Sequence, residues 1–164
     1  FRWLSMRLAD VITEDCIIPE LEAVDRDSLL REMVLHLAGH TNGIDTEKAL
    51  QALLEREGQG TTGIGHGVAI PHGRVKGLDC IRVSFGRSRK GVDFKAMDNL
   101  PVHLFFLIIA PENSAAACLK LLASISRLLK NHEIRLSLMN AVDSSEIMTI
   151  ITEAERKSGT LYGD

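Results

Sequence analysis

The chain has 164 residues, of which 45% are apolar and 25% charged, with a formal net charge of −3 at pH 7. That length suits one compact domain with a buried core and is short for two. The slight negative charge offers no basic footprint for nucleic acid or an anionic membrane surface, so neither is expected as a partner.

Phe1–Ser5 precede Met6 and are expected to be a non-native extension, with the domain proper over residues 6–155. Residues 25–40 predict a helix, capped by Asp25 or Asp27, with Leu29, Leu30, Met33, Val34, Leu37 and Ala38 as its apolar stripe. Asn42-Gly43 breaks the chain. A second helix starts at Asp45 or Thr46, buries Ala49, Leu50, Leu53 and Leu54, and meets Gly58 as a C-cap. Gly58 to Gly67 holds five glycines and reads as a loop. Val68-Ala69-Ile70 is a short apolar run into Pro71-His72-Gly73. Ile81, Val83 and Phe85 alternate with polar residues as in a half-buried strand, and Gly91 to Phe94 suggests another. Val102 to Ile109 predicts a central strand, ended by Pro111.

Ser114 is placed to cap a helix to about Lys130, striped by Cys118, Leu121, Leu122, Ile125, Leu128 and Leu129. A short helix is expected over Ile134 to Met139. The last helix begins at Asp143 with Glu146 in capping-box spacing, and buries Ile147, Ile150 and Ile151. The polar residues 156–164 read as a frayed tail. This order predicts an α/β domain, a mixed β-sheet flanked by helices on both faces.

Three cysteines, Cys16, Cys80 and Cys118, lie far apart with no CxxC or Cys/His ligand spacing. They predict neither zinc nor a disulfide framework and fit a reducing compartment. The longest apolar run, Val102 to Ala110, contains His103 and is too short to cross a bilayer. No secretory signal pattern is present. A cytoplasmic location without membrane insertion is therefore expected.

The chemistry concentrates between Glu55 and Arg74, a glycine-rich stretch leading to one histidine. A neutral imidazole at His72 can attack a phosphoryl group without a separate base, since its unperturbed pKa is about 6.5. The phosphoramidate product keeps its transfer potential. Pro71 fixes the backbone before the ring and Gly73 removes bulk after it. Backbone N–H groups at Gly63, Gly65 and Gly67 can approach phosphate oxygens, and Thr61 or Thr62 can add a hydroxyl. Arg56 is a candidate to neutralise a transferring phosphoryl group. Positioning and charge stabilisation are most of what phosphoryl transfer requires, so a short residue set suffices. The spacing is neither GxxxxGK[ST] nor GxGxxG. A metal at His66 and His72 lacks a carboxylate or cysteine at ligand spacing, and no cofactor is implied.

The run Thr62-Gly63-Ile64-Gly65-His66-Gly67-Val68-Ala69-Ile70-Pro71-His72-Gly73, preceded by Arg56-Glu57, resembles the type-2 enzyme IIA family of the bacterial phosphotransferase system, the fructose/mannitol/nitrogen type. The likeness continues through Phe94 to Val102 and Leu119 to Ala123, and covers about Leu8 to Glu153. It implies a mixed sheet between helices. It also implies that His72 accepts a phosphoryl group from an HPr-type phosphocarrier protein, with Arg56 as the family's active-site arginine. Downstream partners would be a IIB unit or a regulatory protein target. Two positions depart from the pattern. Many relatives carry a second active-site histidine where this chain has Cys118, and often asparagine where it has His66. Cys118 cannot supply an imidazolium; His66 is a candidate to replace it in part, but is expected rather to be a solvent-facing loop residue. His103 reads as structural, while His36, His40 and His132 are expected to face solvent. Ile64, Val68 and Ile70 are expected to lend an apolar patch around His72. The chain looks most like the freestanding nitrogen-regulatory type. A freestanding fructose- or mannitol-type unit is the alternative within the family, and a binding module without phosphotransfer the alternative outside that chemistry.

Overall fold

The central strand forms where the apolar run predicts it, and everything else is arranged about it. The computed structural model describes residues 6–161, so the expected extension at residues 1–5 lies outside the described residues. The elements, in order, are α1 (Leu8–Val11), a 3-10 turn (Glu14–Cys16), β1 (Ile17–Ile18), α2 (Arg26–His40), α3 (Thr46–Gly58), β2 (Gly63–Gly65), β3 (Val68–Ala69), β4 (His72–Val75), β5 (Arg82–Val92), β6 (Val102–Pro111), α4 (Ala115–Lys130), α5 (His132–Asn140) and α6 (Ser144–Leu161).

The sheet runs β1-β5-β6-β3-β2, with β4 also on β6. β5 is antiparallel to β6, Phe85 opposite Phe106. β3 and β4 run parallel to β6 along one side of it, Val68 opposite Leu104 and His72 opposite Ile108. Between them, Ile70-Pro71 interrupts the ladder. Pro71 has no N–H to leave unpaired, and its carbonyl accepts from the Ile108 N–H at 2.9 Å.

β6 is apolar at almost every position because both its faces are covered. Leu104, Phe106, Ile108 and Ala110 pack in one core with residues of α1, α4, α5 and α6. Phe105, Leu107 and Ile109 pack in a second with α2 and α3. The mixed sheet between helical layers is therefore observed as expected. Edge-to-face rings tie strands on both sides, Phe85 to Phe106 at 4.9 Å and Phe94 to Phe105 at 5.4 Å. Among the described residues no helix is long and apolar enough to cross a membrane.

Local chemistry decides between the sequence alternatives. Asp25 caps α2 by accepting from the Ser28 N–H at 2.9 Å, and Asp45 caps α3 through the Lys48 N–H at 3.1 Å. The Ser114 hydroxyl does not cap α4; it donates to the Pro111 carbonyl at 2.6 Å. Glu146 accepts from the Val142 N–H while its own N–H binds Asp143, a capping exchange set one residue earlier than its usual form.

Four expectations change. The stretch to Gly67 is not all loop: β2 and β3 form a hairpin turned by His66-Gly67, with φ of 57° and 74°. Two positive φ values suit a type I′ turn, whose twist matches the strands. Gly58 is the last residue of α3, and Gln59 takes the cap. Gly91 to Val92 belongs to β5, whose register shifts between Arg87 and Val92, so no separate strand forms there. The expected tail is helical through Leu161, where Arg156 binds Glu153 at 2.7 Å one turn back, and its residues 162–164 lie outside the described residues.

One side chain in the core is a surprise. Arg87 is 1% exposed. Its guanidinium donates to the carbonyls of Pro19 and Leu138, each at 2.9 Å, and of Ala141 at 2.5 Å. It satisfies carbonyls at the end of α5 and joins that helix to β5 and the β1 region.

Candidate functional site

β4 pairs with β6 on one side only, and at its outer edge a cleft of about 590 Å³ opens between α3 and α4. α3 contributes Arg56, β4 contributes His72, Gly73 and Arg74, and α4 contributes Cys118. Residues two apart on a strand share a face, so His72 and Arg74 project together and Gly73 faces the other way. There α3 lies hard against it: a Cβ on Gly73 would sit 3.2 Å from both the backbone carbon and the Cβ of Ala52. Glycine thus lets the helix approach β4, and Arg56, one turn beyond Ala52, reaches the cleft.

The ring of His72 is half-buried. Its Nδ1 lies 2.8 Å from the Ile70 carbonyl. A carbonyl can only accept, so Nδ1 carries the hydrogen and the lone pair resides on Nε2. Burial pushes the His72 pKa below 6.5, the Ile70 carbonyl pulls it back up, the Arg56 charge lowers it and Glu57 raises it. The net direction is down, so at neutral pH the ring is an uncharged nucleophile. Arg56 donates from Nη1 to the Gly60 carbonyl at 2.7 Å, which holds its side chain over the end of α3.

Cys118 is buried on the α4 wall. Burial raises its thiol pKa, with the Arg74 charge opposing, so the thiol stays protonated at pH 7. Arg74 makes a single long contact, 3.4 Å from Nη1 to the Glu112 carbonyl, and pairs with no carboxylate among the described residues. Ala115, at the start of α4, also lines the cleft, and no side chain caps that helix. Its first-turn N–H groups add partial positive charge to the wall. Arg56, Arg74 and these N–H groups set positive charge in the same cleft as an imidazole lone pair, with Glu55 and Glu112 also in the lining.

Arg56, His72, Gly73 and Cys118 are brought together here, with Pro71 buried just behind the ring. The other candidate residues are elsewhere. Thr62 is buried, and its N–H and hydroxyl both donate to the carboxylate of Glu57. Gly63 packs on Ala96, where a Cβ would come within 2.8 Å. Gly65 and Gly67 belong to the hairpin, and none of these residues lines the cleft. His66 does not reach Cys118 or His72; its turn carries it to a separate cleft with His103 and His132. The apolar patch also fails as expected, because Val68 and Ile70 are buried and only Ile64 is open, at 45% exposure. Leu119, 66% exposed, supplies apolar surface at the rim instead. Among the described residues no group of three or more histidine, cysteine or acidic side chains could hold a metal.

Two residues escaped the sequence reading. Arg74 follows His72 at strand spacing, a signal readable only once the strand is extended beyond Pro71. In the sequence Glu57 enters only as part of the Arg56-Glu57 pair, with no role of its own, yet it is 4% exposed and ties α3 to the hairpin.

Comparison with known proteins identifies the family and the fold. Residues 10–154 match the family described as phosphoenolpyruvate-dependent sugar phosphotransferase system, EIIA 2. The chain is 37% identical to a nitrogen regulatory protein of Bradyrhizobium diazoefficiens, covering 89% of this chain and 95% of that protein. It is 35% identical to the fructose-specific EIIABC component of Bacillus subtilis, covering 92% of this chain but only 24% of that longer protein. The nitrogen regulatory protein IIA-Ntr of Neisseria meningitidis superposes with a TM-score of 0.82 at 31% identity, covering 88% of this chain and 98% of that one. The chain belongs to the EIIA 2 family of the phosphoenolpyruvate-dependent sugar phosphotransferase system, a family of phosphoryl transfer between proteins.

Proposed function

We propose that this protein is a phosphohistidine carrier of the nitrogen-regulatory type, acting in the cytoplasm, which accepts a phosphoryl group on His72 from an HPr-type phosphocarrier. The observation that carries the reading is the Nδ1 contact to the Ile70 carbonyl, which leaves the lone pair on Nε2 of a ring that shares its cleft with Arg56 and Arg74. In the transfer, Nε2 forms the new N–P bond as the donor's N–P bond breaks. The donor ring regains its electron pair and becomes a neutral imidazole. The ring of His72 keeps its Nδ1 hydrogen and becomes cationic, a charge the Ile70 carbonyl stabilises. No proton transfer is needed in this step. Arg56 and the start of α4 hold the phosphoryl oxygens.

The group is then relayed to a IIB unit or serves as a signal to a regulatory protein target. The match along 95% of a nitrogen regulatory protein favours the regulatory role. The 35% identity to a fructose-specific component supports sugar-linked relay as a second reading.

The test is a phosphoenolpyruvate relay with enzyme I and an HPr-type carrier. Wild type takes up acid-labile, alkali-stable phosphate and His72→Ala takes up none. No uptake by wild type, with the carrier shown to be active, refutes the proposal and leaves a binding module without phosphotransfer.

A further inference from the structure

We infer that Arg74 is a phosphoryl-binding residue of this site, supplying the second full positive charge that a group on His72 requires. The inference rests on the phosphohistidine reading of His72. A phosphoryl group on nitrogen brings close to two negative charges into a cleft where each one needs a partner. Arg56 answers part of that need, but its Nη1 is already committed to the Gly60 carbonyl at 2.7 Å. Cys118, on the facing wall, is a neutral thiol and contributes no charge. Arg74 is the other guanidinium lining the cleft.

Three features fit Arg74 to the task. It stands two residues after His72 on β4, so both side chains leave the same face, with about 7 Å of strand between their Cα atoms. An extended arginine spans that gap. Among the described residues its one hydrogen bond is the 3.4 Å contact to the Glu112 carbonyl, at the outer limit of such a bond, and it forms no ion pair with a carboxylate. It approaches from the Cys118 side, whereas Arg56 approaches from α3. Both guanidiniums thus line one cleft with the ring, Arg74 near Cys118 and Arg56 on α3, and a planar fork on each can take separate phosphoryl oxygens.

Both the carrier protein and a small phosphoramidate donor test this, because the small donor needs no protein docking. Initial rates of His72 phosphorylation are measured for wild type, Arg74→Met and Arg74→Lys with each donor. The 15N resonance of the Arg74 Nε–H is followed as wild type is loaded. Arg74→Met is expected to lose about a hundredfold with both donors, and Arg74→Lys to recover part of the loss. The Arg74 Nε–H resonance should move on loading. A loss confined to the carrier protein would make Arg74 a docking residue and overturn the inference. So would Arg74→Met rates equal to wild type with both donors, and in either case the phosphohistidine reading stands. Failure of wild type to load from either donor would overturn both.

Discussion

Adding one methyl group at Gly73 tests the geometry of the cleft without touching a charged residue. A Cβ there would lie 3.2 Å from the Ala52 backbone carbon and Cβ, and 3.3 Å from the Leu53 nitrogen. Two of these three neighbours are backbone atoms, which cannot swing aside, so α3 must retreat as a unit by a few tenths of an ångström to restore ordinary contact. Overpacking of that kind costs about 1–3 kcal/mol. Arg56 rides on the same helix one turn further on and withdraws with it. A displacement of about 1 Å near a reacting centre can cost about a hundredfold, so about a quarter of that predicts about threefold. Urea unfolding and the initial rate of His72 phosphorylation measure the two effects on Gly73→Ala. The double variant Ala52→Gly/Gly73→Ala removes one of the crowded atoms and should recover part of the rate despite the helix cost of glycine. A Gly73→Ala protein with wild-type rate and stability within about 0.5 kcal/mol would refute the claim that this contact places Arg56.

Titrating the ring C–H resonances of His72 by NMR should give a midpoint below 6.5, because burial disfavours the charged ring. As pH falls below 6.5 the unfolded chain takes up this proton more readily than the folded one, so His72 subtracts stability there and none above; a midpoint at or above 6.5 would reverse that sign. Phosphoryl uptake should accordingly stay level from pH 8 to 6.5 and decline only at lower pH. Arg87→Met strands the carbonyls of Pro19, Leu138 and Ala141 and should cost about 3 kcal/mol in urea unfolding, with faster amide exchange in α5; a loss below about 1 kcal/mol would show that water replaces the guanidinium. Glu57→Ala leaves the buried Thr62 N–H and hydroxyl without their acceptor. It should cost about 2–3 kcal/mol and speed exchange at Thr62 above other hairpin amides, and uniform protection would contradict the tether.

Long periodic elements were legible in the sequence because burial writes itself into them. α2, α3 and α4 show their stripes, and β6 shows the uninterrupted run that two covered faces demand. The β2–β3 hairpin was not legible, since its strands hold two or three residues and its glycines serve close packing and turning as well as looping. α1 and β1 are too short to show any period. At the site, His72 stood out through its flanking Pro71 and Gly73, while the meeting of Arg56, His72 and Cys118 depends on how α3 and α4 dock on one strand. His66 illustrates the reverse error: neighbours in a motif separate when a turn and a ladder break lie between them. Arg87 is followed by Ser88, Arg89 and Lys90, and nothing in a sequence distinguishes a buried arginine bound to several carbonyls from a solvated one.

His72 and Arg56 are mounted on parts of very different tenacity. The nucleophile is on a strand laddered to the middle of the sheet, beside the fully buried Ile108 and Ile109, the kind of residue expected to open last. The arginine sits in the last turn of a helix, where backbone bonds are first to let go. Warming short of the melting point should therefore blunt the reaction well before it removes the acceptor. The protein would keep its imidazole in place while the charge that speeds transfer comes and goes.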